Sequence, residues 1–225
     1  IFLIIATIAV GISAKSFEPL KDNTALVLDL EGQLVEQRTV DSLSAAIANS
    51  QGDNENAEIQ LRDVLAVLEQ AKTDPKITHV LLNTEGFSVM GMASLRELVK
   101  ALQDFKTSKK PVYAFANGYE QKQYLLAAQA DKVFMDPEGG MMFEGLGRYR
   151  LYYREALQDK LGVDVHLFRV GEYKSAAEPY ILDAASTDAK EADLYWMSDI
   201  WQRYLDQIAK ARKIEKAQIV QAINE

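Results

Sequence analysis

Apolar positions along this chain recur at two periods, about every second residue and about every 3.6, and the two alternate. Residues 25–32, ALVLDLEG, read as a buried strand running into a turn. After the polar stretch 49–56, Leu61, Val64, Leu65 and Leu68 mark one face of a helix expected over 57–72, which Asp74-Pro75 stops. KITHVLLN, 76–83, is a strand pattern, and Leu95, Leu98, Val99, Leu102 and Phe105 stripe a second helix. Then come a strand at 111–117, a short helix at 119–129, a short strand at 131–137, a helix at 152–161 and a strand at 163–170. From about Thr187 a long helix carries Leu194, Met197, Trp201, Tyr204, Leu205 and Ile208 on its apolar face, and a further helical signal spans 215–222. Strands alternating with helices of this length imply an α/β fold whose sheet is mostly parallel, with right-handed βαβ crossovers.

The ends of the chain change this picture. Residues 1–14, IFLIIATIAVGISA, carry no charge, yet they fall short of the roughly 20 residues that span a bilayer. Because the chain opens on Ile1, the run is expected to be the end of a transmembrane or signal anchor; the alternative is a secretory apolar region, with bulky Ile12 spoiling a cleavage site at 12–14. Residues 15–24 form a polar linker, and 25–225 the folded domain. The last helical signal meets Glu225 with no closing turn, so the chain is expected to be cut at both ends.

Composition narrows the chemistry. At 225 residues, with 48% hydrophobic and 26% charged, the chain can bury a core without disulfides or metals. A net charge of −8 argues against nucleic acid as a partner, because neutralising phosphates needs a basic surface. The absence of cysteine removes thiol nucleophiles and thiolate metal sites. His79 and His166 stand alone inside strand patterns and form no metal spacing, so each reads as a hydrogen-bonded sheet histidine. No cofactor is expected: Gly145 and Gly147 begin a dinucleotide-type loop, but Arg150 stands where its third glycine belongs. The scattered Asp and Glu read as solvated helix faces.

Two residues remain as candidate machinery. Ser88, in GFSVMG, partly matches a nucleophile elbow, but Met90 holds the place of the closing glycine, which arrives one residue late at Gly91. A Ser–His hydrolase built on Ser88 is therefore an alternative reading. Lys174, in FRVGEYKSAAEPY, is an ordinary solvated lysine by composition. Its place just beyond the C-terminal end of the 163–170 strand, past Gly171, is where open α/β sheets put ligands. Tyr173 and Ala176-Ala177 offer it an apolar wall, and a lysine acts as a general base only as the neutral amine, beside a hydroxyl nucleophile.

The stretches LLAAQADKVFMDPEG (125–139) and LYYREALQDKLGVDVHLFRVGEYKSAAEPY (151–180), with Trp196, Trp201 and Tyr204, resemble the signal peptide peptidase A family, also called protease IV. The resemblance covers nearly the whole chain and is to the N-terminal copy of the long, two-copy form. It implies a ClpP/crotonase-like fold and a membrane-bound serine endopeptidase with a Ser–Lys dyad. Lys174 matches the family's general base. The serine belongs to the second copy; its equivalent here is Gln121, in E-Q-K-Q-Y, and an amide cannot attack a carbonyl. NTEGFSVMG keeps one glycine, Gly86, of the oxyanion segment. The resemblance further implies cleaved signal peptides or other extended apolar peptides as substrates. Its other implications are a homo-oligomer, a tetramer, in which the C-terminal domain and neighbouring subunits complete the site, and a single-pass place in the bacterial inner membrane with the catalytic domain on the periplasmic side. A non-catalytic, membrane-anchored, peptide-binding scaffold is the remaining alternative.

Overall fold

Each helix that follows a strand must bury its apolar stripe, and here the helices lay those stripes on parallel sheets. The computed structural model describes residues 19–39 and 57–224. Its principal sheet holds β1 (Thr24–Asp29), β4 (Ile77–Asn83), β6 (Val112–Ala116) and β8 (Lys132–Met135), in that order and all parallel. A second parallel sheet, ordered β3-β2-β5, is built from β2 (Gly32–Val35), β3 (Glu58–Gln60) and β5 (Phe87–Val89). A two-stranded pair joins β7 (Tyr119–Glu120) to β9 (Met141–Met142). The α/β architecture with parallel sheets expected from the alternation is therefore present.

Helix α1 (Leu61–Thr73) buries Leu61, Val64, Leu68 and Ala71, and α2 (Met92–Phe105) buries Leu95, Leu98, Val99, Leu102 and Phe105. Both stripes pack into one core with Val80 and Leu82 of β4 and Val112, Ala114 and Ala116 of β6. Helix α3 (Gln121–Ala127) adds Leu125 and Leu126. Charged side chains close the helix ends. Lys110 Nζ donates to the carbonyls of Ala71 and Asp74 at 2.7 and 2.6 Å, where the C-terminus of α1 leaves acceptors unmet. Lys106 pairs with Asp131 at 2.9 Å, and Asp131 in turn accepts the Val112 amide at 2.8 Å. Gly32 sits at φ +116° with a Cβ position overlapping the Ala57 carbonyl, so only glycine lets β2 approach β3 there.

Alternation along the principal sheet leaves its outer face bare. Val27, Leu81, Phe115 and Phe134 point away from the core, and Val27 and Phe134 are 56% and 50% exposed. Parallel sheets ordinarily bury both faces. Beyond β9 the chain winds through a π-helical turn (Glu155–Lys160) to α4 (Glu178–Ile181), α5 (Thr187–Arg212) and α6 (Lys216–Asn224).

Several expected elements differ. The helix read over 57–72 begins only at Leu61, because residues 58–60 pair with β2. The helix read over 152–161 shrinks to the π-helical turn. The strand read over 163–170 is absent: the segment makes no ladder with any described strand, and Phe168 is 95% exposed. Alternating apolar residues propose a strand, but a strand also needs a partner, and this segment pairs with none of the described strands. The apolar run 1–14 lies outside the described residues, among which no helix is long and apolar enough to cross a membrane.

Leu102→Ala should lower stability by about 2–5 kcal/mol, because the cavity opens in a fully enclosed part of the core. Val27→Ala, on the bare face, should cost about 1 kcal/mol or less. Urea unfolding of the two variants checks the contrast.

Candidate functional site

The loop that carries Lys174 is built from its backbone outward. Gly171 turns it at φ +105°, and the Lys174 side chain folds back over that glycine. Arg169 Nη1 donates to the Lys174 carbonyl at 3.1 Å, and Arg150 Nη1 donates to the Ser175 carbonyl at 3.0 Å. The Ser175 amide donates to the Tyr173 carbonyl at 3.1 Å. Lys174 itself is exposed, and its Nζ has no hydrogen bond or ion pair among the described residues. The apolar wall expected from Tyr173 and Ala176-Ala177 does not enclose it, since Tyr173 and Ala176 face outward as well. Nor does Lys174 follow a strand. The loop is held by the pair of guanidinium contacts together with backbone bonds, the Glu178 amide also donating to the Ser175 carbonyl at 3.2 Å.

Those contacts lead to a carboxylate that sequence reasoning missed. Glu178, at the start of α4, is 0% exposed. Its Oε1 accepts from Ser186 Oγ at 2.6 Å and from Arg169 Nη1 at 3.4 Å, and its Oε2 accepts the Ser186 amide at 3.1 Å. Ser186 is the N-cap of α5, where its Oγ also accepts the Ala189 amide at 3.1 Å. Burial alone would raise the Glu178 carboxyl; the Ser186 hydroxyl and amide and the Arg169 guanidinium outweigh it and hold the group below its ordinary value. Its acidic type suggested a solvated face. The available sequence signal was Glu-Pro at a helix start, with Glu178 eight residues before a Ser-Thr-Asp cap.

Gln121 opens α3, and both the nitrogen and the oxygen of its amide are bonded. Nε2 donates to the Gly145 carbonyl at 3.1 Å, and Oε1 accepts the Gly145 amide at 3.0 Å. The Gln121 carbonyl accepts from the Tyr204 hydroxyl of α5 at 2.8 Å. Gln123 caps the helix by accepting the Glu120 amide at 2.8 Å, and its Nε2 reaches the carbonyls of Glu85 and Phe87. An aromatic series ties this end to the long helix: Tyr124 meets Phe143 edge-on at 5.5 Å, Phe143 meets Tyr204 at 6.4 Å, and Tyr204 stacks on Trp201 at 5.0 Å. Burial, with Tyr124 nearby, pushes the Tyr119 hydroxyl up to about 12 and raises that of Tyr204 too, so both stay protonated donors. A pocket of about 350 Å³ beside Gln121 is lined by Glu120, Lys122, Met142, Glu144 and Leu146. A larger cleft of about 540 Å³, between α5, α6 and residues 143–146, does not include Lys174.

The other candidates separate. Ser88 lies inside β5 rather than at a strand-to-helix turn, and its Oγ donates to the Gly32 carbonyl at 3.5 Å. His79, in β4, is the hydrogen-bonded sheet histidine expected: its Nδ1 meets the Thr78 hydroxyl at 2.9 Å, and its ring meets Tyr113 edge-on. His166 is exposed in the segment that forms no strand. Neither histidine bonds to Ser88. The Thr84 hydroxyl, just past β4, is buried without a partner. Among the described residues, no group of three His, Asp or Glu could hold a metal ion.

The profile of Peptidase family S49 matches residues 104–224, more than half of the chain and the part that holds both Gln121 and Lys174. The chain is similar to Protease 4 of Haemophilus influenzae, 34% identical over 222 residues, which is 98% of this chain and 36% of that protein. It is also similar to Protease 4 of Salmonella typhi, 36% identical over 201 residues, 87% of this chain and 32% of that protein. The chain thus spans about a third of the length of these relatives.

The buried carboxylate sets a pH dependence. Its folded-state pKa lies below the ordinary 4.5, so unfolding takes up a proton in acid, and the stability it contributes is complete above that value. It is lost as pH falls through the folded value. Glu178→Gln should lower the urea midpoint by a constant amount from neutral pH down to about 5, and the gap should close as the pH drops below 4.5.

Proposed function

The chain belongs to peptidase family S49, and from that premise we propose that it supplies the general base of a Ser–Lys endopeptidase whose serine lies in another domain. The observation that carries the reading is the state of Lys174: an exposed amine with no partner among the described residues, on a loop whose next two carbonyls are each held by an arginine. An amine so placed is open to a hydroxyl brought from outside. The complementary observation is at the start of α3, where the amide of Gln121 is committed to Gly145 and offers no nucleophile.

In this mechanism the serine-bearing domain covers Lys174 and desolvates it, and the neutral amine takes the proton of the serine hydroxyl as the oxygen attacks a peptide carbonyl. The ammonium then delivers that proton to the leaving amine, and the acyl-enzyme is released by water, again with the amine as base. Backbone amides beside the serine would hold the oxyanion. The fold falls in the ClpP/crotonase-like class. Substrates are extended apolar peptides, of which signal peptides left in a membrane after cleavage are the fitting source, held by strand pairing and apolar pockets. The site is completed between domains of a homo-oligomer, tetrameric by the family resemblance, anchored in the bacterial inner membrane with this domain on the extracytoplasmic side. The ring of domains brings serine and lysine together.

Lys174→Ala in the full-length protein should cut kcat/KM for a fluorogenic apolar peptide by roughly 10²- to 10⁴-fold with the oligomer intact. Turnover at the wild-type rate would remove the assignment. The 225-residue chain alone should take no label from a serine-directed fluorophosphonate, and labelling would show that it holds a nucleophile of its own.

A further inference from the structure

The general-base reading leaves open what holds the lysine in place, since no wall or strand does so. Three observations converge on the loop. Arg169 and Arg150 reach it from different parts of the chain and take consecutive carbonyls, those of Lys174 and Ser175. Arg169 is also bonded to Glu178, a carboxylate with no solvent exposure. Glu178 is in turn bound twice by Ser186, the residue that caps the 26-residue helix α5.

Each link has a physical reason. A buried carboxylate must collect donors, and the N-terminus of a helix supplies them along with a favourable dipole. A guanidinium has several N–H groups in a fixed fork, so Arg169 can face Glu178 and still reach the Lys174 carbonyl. A lysine would offer a single mobile head at that place. Arg150 approaches from the segment after β9, whose course is fixed by Tyr153: its amide donates to the Pro179 carbonyl at 2.6 Å and its ring stacks on Tyr180. Arg154, which pairs with Asp183 at 2.7 Å, adds a second tie between the same two segments.

We propose that Arg169 and Arg150 are positioning residues that clamp the two consecutive peptides following the Lys174 Cα, Lys174–Ser175 and Ser175–Ala176, with Arg169 referenced through Glu178 and Ser186 to the end of α5. This rests on the general-base reading of Lys174. The clamp leaves the lysine side chain free while fixing the point from which it swings. Movement of α5 is transmitted to the base through two side chains, so whatever packs against α5 bears on the geometry of the reaction.

The test uses the full-length protein with an apolar fluorogenic peptide. Arg169→Gln and Arg150→Gln should each lower kcat roughly ten- to hundredfold, the scale of an ångström-level misplacement of a reacting group. KM should stay within about twofold, because the arginines do not touch substrate. Tryptic cleavage after Lys174 should quicken in both variants while the oligomer keeps its size. Arg203→Gln, which breaks only the exposed pair with Asp199 on α5, is the control and should change none of these. Wild-type kcat in both arginine variants overturns the proposal, and so does a fall in kcat that comes with loss of the oligomer. If Lys174→Ala keeps full turnover, the general-base reading fails by itself. Cleavage after Lys174 then judges the clamp alone, quickened cleavage keeping it and unchanged cleavage removing it. Both arginines are partly solvated at the loop, so their loss should not unfold the domain; Ser186→Ala, which removes one donor to Glu178, should show the same split in weaker form.

Discussion

A carboxylate closed off from water has to be met by hydrogen-bond donors, and in this chain Glu178 gathers three of them from two residues. The Ser186 cap of α5 gives two, and Arg169 gives the third. Because the two residues lie on either side of Glu178 in the chain, satisfying one charge ties the entry of the long helix to the segment before the turn at Gly171. The cost of burying a charge is turned into geometry. Without that requirement, residues 163–177 would have little to hold them, since they pair with no described strand and expose most of their apolar side chains.

A second constraint acts farther along α5. Tyr204 and Trp201 lie on the face that meets α3, and the Tyr204 hydroxyl donates to the carbonyl of Gln121, the first residue of that helix. The same long helix thus governs both the lysine loop, through its N-cap, and the start of α3, through its middle. The two regions are thereby joined by one element. The rise of α5, about 1.5 Å per residue, separates its two points of action by roughly 27 Å. The regions therefore need not touch within this chain to be coupled.

The sequence was most legible where one local rule decides. The stripes of α1 and α2 could be read residue by residue, because a 3.6 period over more than ten positions has no common rival explanation. The start of α5 near Thr187 was equally plain, and the structure adds Ser186 as its cap. The 163–170 segment was misread because alternation reports a preference for extended backbone and carries no information about a partner edge. Glu178 was overlooked for a related reason. Burial of a charge is decided by donors distant in sequence, Arg169 nine residues before and Ser186 eight after, and no local pattern announces them. Lys174 was reached by its place and by family resemblance; its surroundings, two arginines on consecutive carbonyls, were visible only in three dimensions.

The amide of Gln121 closes a pair of hydrogen bonds with a single residue, Gly145, in the way one extended strand greets another. A serine there would be too short to meet either group, so the loop after β9 would lose its tether as the hydroxyl appeared. Placing a nucleophile at this position is consequently not one substitution away. It would need a compensating change near Gly145, because one short hydroxyl side chain cannot also take over both bonds that fasten the loop.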